Sequence, residues 1–168
     1  KVESELGKGS EFYFSIPYEE CLKEVVKIKS DSTIDNSHNH PILSGHVLIV
    51  EDNKTNHLVA KRMLKKMGFT DDVAENGIDA VNEIKNTNYD LVFMDVQMPQ
   101  MDGFSASRQQ RKMEAKNNTH IKLPISAMTA KVMGKDKEDC LNAGMDDYLA
   151  KPITPDSLGI VLDKWLKN

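Results

Sequence analysis

The chain has 168 residues, 39% hydrophobic and 29% charged, with a formal net charge of −4. That balance fits a soluble folded domain with some extra chain, excludes a disordered polymer, and argues against a general nucleic-acid binder. No apolar run approaches the roughly 18 residues of a membrane span and no signal peptide opens the chain, so direct membrane contact is not expected. Cys21 and Cys140 show no metal-type spacing, and a reduced cytoplasmic setting is the default. The chain opens on Lys1 rather than methionine and is expected to be a piece of something longer.

Residues 1–19 contain GKGSEFYFSIP, a glycine turn followed by Phe12, Phe14 and Ile16 in period-two alternation, which predicts a turn and then a short strand. Residues 20–45 run through SDSTIDNSHNHPILSG, polar and without apolar period, and read as a linker. Its first part, Cys21 to Ile28, fits a strand or a short helix equally. From His46 the pattern turns regular. HVLIVED is an apolar run ending in acids; Ala60, Met63, Leu64 and Met67 then fall at helical spacing, with Gly68 where a C-terminal cap belongs. A short strand over Asp72–Ala74 precedes a second helix marked by Ile78, Val81 and Ile84. LVFMD, residues 91–95, is the third strand, followed by a helix over about 104–115, a strand near 124–128 and a helix over about 132–143. Tyr148-Leu149-Ala150 is the fifth strand, and Leu158, Val161, Leu162, Trp165 and Leu166 form an amphipathic stripe. Strands alternating five times with helices imply a doubly wound α/β fold, a parallel sheet covered on both faces, with ligands outside the carboxyl ends of the strands.

Those ends gather chemistry. Glu51 and Asp52 follow the first strand, Asp95 ends the third, Thr129 follows the fourth and Lys151 the fifth. The first and third strands are neighbours in a doubly wound order, so three carboxylates share one pocket. At about 5 Å and an effective dielectric near 20, each like-charged pair costs roughly 3 kcal/mol. A hard divalent cation such as Mg²⁺ removes that cost, Lys151 adds a second positive charge and the Thr129 hydroxyl a donor. Such a set suits phosphoryl transfer, with a carboxylate as nucleophile. Taken singly, each feature has an ordinary reading: Asp95 as a helix cap or turn former, Glu51-Asp52 as acids at a helix start, Lys151-Pro152 as a surface turn. Their joint placement at matched strand ends favours the functional reading.

VLIVEDN (47–53), DLVFMDVQMPQMDG (90–103), AMTA (127–130) and GMDDYLAKP (144–152) together resemble the receiver domain of two-component response regulators. The resemblance spans about residues 46–168 and implies a five-stranded flavodoxin-like fold, strand order 2-1-3-4-5, that takes a phosphoryl group from a phosphohistidine. Position by position it implies Asp95 as phosphoacceptor, with Glu51, Asp52, Asp95 and the backbone carbonyl of Gln97 around Mg²⁺ or Mn²⁺. It further implies Thr129 and Lys151 on the phosphoryl oxygens and Tyr148 as the aromatic switch. A cis peptide before Pro152 and a small residue at Ala130 belong to the same pattern. SELGKGSEFYFSIP (4–17) resembles the last glycine loop and final strand of a histidine-kinase ATP-binding domain, so the parent resembles a hybrid sensor histidine kinase, a class that includes proteins anchored in the inner or plasma membrane. The implied partners are the phosphohistidine of the kinase dimerisation domain or a histidine phosphotransfer protein. Lacking the rest of an ATP site, these residues alone would catalyse only transfer to their own aspartate and its hydrolysis.

Ser126, inside the fourth strand, and Gln110, on a helix, stand where receivers are usually apolar and need partners if buried. Gln97 and Lys131 flank the expected path of attacking water. His38, His40 and His46 are better read as solvated linker histidines than as a metal site. The nine methionines read as packing, and Arg108, Arg111, Lys112 and Lys116 as a solvated basic face. Nothing in the sequence gives Cys140 a role. Three rivals stand beside the phosphorelay reading. An aspartyl phosphatase would carry a second acid where Gln97 is. A flavin-binding flavodoxin-like module would place a hydroxyl-rich loop where Glu51-Asp52 are. A receiver that binds partners without being phosphorylated would not need its catalytic positions filled.

Overall fold

The computed structural model describes residues 2–5, 7–15, 44–117, 122–130 and 134–166. These fall into two compact units, divided between His38 and Asn39. In the first, β1 (Val2–Glu5) and β2 (Gly9–Phe12) pair antiparallel, with Val2 opposite Phe12. The reversal uses Gly7 and Gly9 at φ of 84° and 104°, which side chains disfavour. The strand expected over Phe12 to Ile16 is therefore displaced. β2 ends at Phe12, which pairs with Val2, and Ile16 lies outside the described residues. Phe12 and Phe14 are 73% and 84% exposed, so their alternation marks no buried face within this unit. The linker expected over 20–45, including Cys21, His38 and His40, falls almost wholly outside the described residues.

The second unit opens with β3 (His46–Val50), α1 (Lys54–Lys66), β4 (Thr70–Ala74), α2 (Gly77–Asn86) and β5 (Leu91–Asp95). It continues through α3 (Gly103–Lys116), β6 (Ile125–Thr129), α4 (Gly134–Asn142), β7 (Asp147–Ala150) and α5 (Pro155–Leu166). The sheet is parallel throughout, in the order β4-β3-β5-β6-β7, which is the doubly wound order expected. Strand alternation splits the core in two. Leu48, Val50, Val92, Met94 and Ala127 face Ala80, Ala106 and Cys140 of α2, α3 and α4. Val47, Ile49, Leu91, Phe93 and Met128 face Leu64, Leu158 and Leu162 of α1 and α5. Each of these larger side chains contributes about 1.5–3 kcal/mol by leaving water. Continuous apolar runs rather than alternation are what a strand covered on both faces requires.

The helices begin on side-chain caps: Asn53 accepts from the Thr55 and Asn56 amides, Asn76 from Ile78 and Asp79, and Asp102 from Ser105. Gly68, at φ 92°, follows α1 as expected.

Two polar readings change. Arg111 is not on a solvated face. Its Nε donates to the Gly144 carbonyl at 2.8 Å, Nη1 to Glu114 at 2.7 Å and Nη2 to Asp146 at 2.7 Å, with only 16% of the side chain exposed. Asp146 in turn accepts from the Ile125 amide at 2.9 Å and from Lys122, so this network ties α3 to the starts of β6 and β7. His46 is not a linker residue. It opens β3, sits 3.0 Å from Asp72 and packs on the Tyr89 ring at 4.7 Å between centroids. Burial at Ser126 and Gln110 is as the sequence suggested. Gln110 Nε2 donates to Glu114 at 3.1 Å, whereas Gln110 Oε1 and the hydroxyls of Ser126 and Ser107 have no hydrogen-bond partner among the described residues.

Candidate functional site

β3 and β5 are adjacent, so the residues leaving their carboxyl ends meet. Glu51, Asp52 and Asp95 present carboxylate oxygens within 4.8 Å of one another. Glu51 and Asp95 are buried, at 1% and 6% exposed, and Asp52 is exposed. Between the two buried acids lies Lys151, its Nζ 2.6 Å from Glu51 Oε2 and 2.6 Å from Asp95 Oδ2. The peptide joining it to Pro152 is cis, and its amide donates to the Thr129 carbonyl at 2.8 Å, tying the loop after β7 to the end of β6.

Asp95 is held from the loop side as well, its Oδ1 accepting the Gln97 amide at 3.2 Å. That loop turns straight back: the Gly103 amide donates to the Val96 carbonyl at 3.1 Å, and Asp102 caps α3. A Cβ on Gly103 would lie 2.2 Å from the Asp95 carbonyl oxygen, so only glycine lets α3 start this close to the acid.

Burial pushes the Asp95 carboxyl above its ordinary pKa, although Lys151 and the Gln97 amide pull the other way. Burial alone would lower the Lys151 ammonium, yet its bonds to Asp95 and Glu51 outweigh that and raise it. Both directions describe one strained balance of three acids and one cation. The pocket around them, about 350 Å³, is also lined by Asn53, Asn56, Gln97, Phe104, Thr129, Ala130, Asp136 and Cys140. An oxygen-only donor set with surplus negative charge and open volume beside it fits a hard divalent cation that keeps some of its own water.

The expected residues thus largely converge. Glu51, Asp52, Asp95, Gln97, Thr129 and Lys151 line one pocket. Tyr148 is not among the lining residues: it stands half-buried on β7 with the Lys137 ammonium 5.3 Å from its ring centroid. Lys131 lies outside the described residues. Sequence reasoning missed Asn53 and Asn56, which donate to Glu51 Oε1 from the backbone at 3.3 Å and the side chain at 3.0 Å. A cap residue directly after two acids was the available signal for Asn53; nothing local pointed to Asn56.

Comparison with known proteins agrees with this geometry. Residues 47–163 match the response regulator receiver domain model. The aerobic respiration control sensor protein ArcB of Escherichia coli is 38% identical over 164 residues, covering 98% of this chain and 20% of that protein. Histidine kinase 5 of Arabidopsis thaliana is 38% identical over 142 residues, covering 71% of this chain and 15% of that protein. The chain therefore spans a fifth or less of such relatives. Among solved structures, the receiver domain of a Pseudomonas aeruginosa sensor histidine kinase, with magnesium coordinated in its active-site cleft, is 38% identical with a TM-score of 0.66, covering 74% of this chain and 99% of that one. A Saccharomyces cerevisiae receiver domain, solved in complex with a histidine phosphotransfer protein, aligns at 35% identity and TM-score 0.70, covering 72% of this chain and 88% of that one. Motifs, sheet order, acid pocket and these likenesses agree, and the chain belongs to the response regulator receiver domain family.

Proposed function

We propose that this receiver accepts a phosphoryl group from a phosphohistidine onto Asp95, in a reaction that depends on Mg²⁺ or Mn²⁺. The observation that carries the reading is the convergence of Glu51, Asp52 and Asp95 within 4.8 Å around the single Lys151 ammonium. Glu51, Asp52, Asp95 and the Gln97 backbone carbonyl would hold the metal, which when bound neutralises charge on the transferring group. An Asp95 oxygen forms the new P–O bond as the P–N bond breaks, and the donor imidazole leaves neutral once its other nitrogen carries a proton. Lys151, already against Asp95, is placed to follow a phosphoryl oxygen, and the Thr129 hydroxyl to donate to another. Contact with the phosphoryl group would draw Thr129 inward and let Tyr148 turn, shifting a pre-existing equilibrium at the α4–β7 face. The chain's remaining chemistry is hydrolysis of its own phosphoaspartate.

The relatives support the choice of donor. A phosphotransfer protein bound to a similar yeast receiver supports a histidine phosphotransfer protein as partner, and the relatedness to sensor kinases supports the phosphohistidine of a parent hybrid kinase. The match to ArcB, covering 98% of the chain, runs through the N-terminal hairpin and supports reading residues 1–19 as the end of a kinase ATP-binding domain. No helix among the described residues is long and apolar enough to cross a membrane.

Incubation with a small acyl phosphate and Mg²⁺ should add the mass of one phosphoryl group, lost on treatment with hydroxylamine. Equal modification of Asp95→Asn would move the acceptor elsewhere, and no modification of the wild type would favour a receiver that only binds partners.

A further inference from the structure

Glu51 is almost completely buried, and both of its oxygens are taken by protein donors. Oε2 accepts from Lys151 at 2.6 Å; Oε1 accepts from the Asn56 side-chain amide at 3.0 Å and, at the longer distance of 3.3 Å, from the Asn53 backbone. We propose that Asn56 is a positioning residue for the metal site, fixing the Glu51 carboxylate so that it and Lys151 present one pre-set geometry to the cation. The inference rests on the metal-dependent reading given above.

The chemistry of the donor is what singles Asn56 out. A buried carboxylate oxygen without a partner costs about 1–3 kcal/mol or more, so Oε1 needs a donor. Arginine or lysine would meet that need by cancelling the charge that attracts the cation. A neutral amide satisfies the lone pair and leaves the charge in place. Asn56 is also rigidly delivered. Its own backbone amide donates to Asn53 Oδ1 at 3.3 Å, so the cap that starts α1 sets where the Asn56 side chain begins. Because Glu51 holds Lys151 and Lys151 holds Asp95, an error in the Glu51 carboxylate passes through one ammonium to the nucleophile. Partners that orient metal-site carboxylates in this way typically account for 10–100-fold in metal affinity.

Asn56 itself is exposed at the first turn of α1. The test uses the whole chain, MgCl₂ alone and no phosphodonor. Affinity is read from the rise in thermal midpoint with Mg²⁺ and from ¹⁵N shifts of the pocket amides. Asn56→Leu, similar in volume without the donor, and Asn56→Ala should each lower the metal-free thermal midpoint by a few degrees, since Glu51 Oε1 is left with only the longer Asn53 bond. Both should bind Mg²⁺ at least 10-fold more weakly. Asn56→Lys should lose more than either, because it adds the competing charge. Leu and Ala variants that bind Mg²⁺ as the wild type does would overturn the positioning role while leaving the metal site intact. Wild-type chain that shows no Mg²⁺ response would overturn both the role and the metal-dependent reading beneath it. A metal-free midpoint that falls while the pocket amides titrate with Mg²⁺ as in the wild type would also overturn it, by making Asn56 a purely structural residue.

Discussion

Asp95 pays for its position: burial raises its pKa even with Lys151 2.6 Å away. A carboxyl whose folded pKa lies above its unfolded one keeps its proton longer in the fold. Its contribution is fully present below the unfolded pKa and is lost as pH rises through the folded value, so at neutral pH the ionised group opposes folding. Asp95→Asn should therefore raise the metal-free thermal midpoint at pH 7. The gap over wild type should close as pH falls and wild-type Asp95 takes up its proton. The same substitution should remove most of the Mg²⁺-dependent rise in midpoint. A calorimetric series from pH 7 to acid, with and without Mg²⁺, reads all three; a wild type more stable than Asp95→Asn at neutral pH would contradict the sign. This pocket was legible in sequence because acids behind apolar runs are conspicuous. Asn56 was not, since an asparagine within a helix looks like any solvated polar residue until its partner five positions earlier is seen.

Among the elements, α3 was the most misread. The spacing of Arg108, Arg111, Lys112 and Lys116 defines a face, but it cannot say what packs against that face. Asp146 and the Gly144 carbonyl lie more than thirty positions away in sequence. Gly144, at φ 87°, has no Cβ because one would lie 2.7 Å from Arg111 Cγ, so the turn after α4 is shaped around the arginine stem. Arg111→Met would leave Glu114 and Asp146, 13% and 9% exposed, short of their main cation. Urea unfolding should show a loss of about 3 kcal/mol, as when one partner of a largely buried ion pair is removed. Arg111→Lys should recover little, because a point charge cannot serve three divergent acceptors as the guanidinium fork does. Recovery to within a few tenths of a kcal/mol would show that charge alone mattered. By contrast β4 was read two residues short, without Thr70 and Asp71; aspartate is a poor strand former, and pairing with β3 overrode that preference.

Across the whole receiver, the two ends of the sheet do different work. At the carboxyl ends β3 and β5 deliver the acids; at the amino ends the Arg111–Asp146–Lys122 network locks β6 and β7 to α3. The parallel α/β class was readable from the regular alternation of strands and helices and the strand order from the receiver resemblance, whereas this long-range locking depends on pairs no local pattern reveals. Because β3 and β5 are central and almost fully buried, their amides should exchange hydrogen only through global unfolding. Those of β4, an outer strand, should exchange through smaller openings. Native-state exchange in low denaturant should separate the two groups, and Mg²⁺ should slow β3 and β5 by the full increment in stability. Equal protection in β4 and β5 would mean that the sheet opens as one unit.

The acids of β4 carry a last consequence. An outer strand offers unpaired backbone groups to any extended chain that meets it. Asp71 is engaged by Lys61, while Asp72 accepts from the Tyr89 hydroxyl at 2.9 Å and faces His46. An incoming strand would have to desolvate these carboxylates or pull them from their partners. Aspartates, a residue type that strands disfavour, are thus what keeps this edge from recruiting another strand.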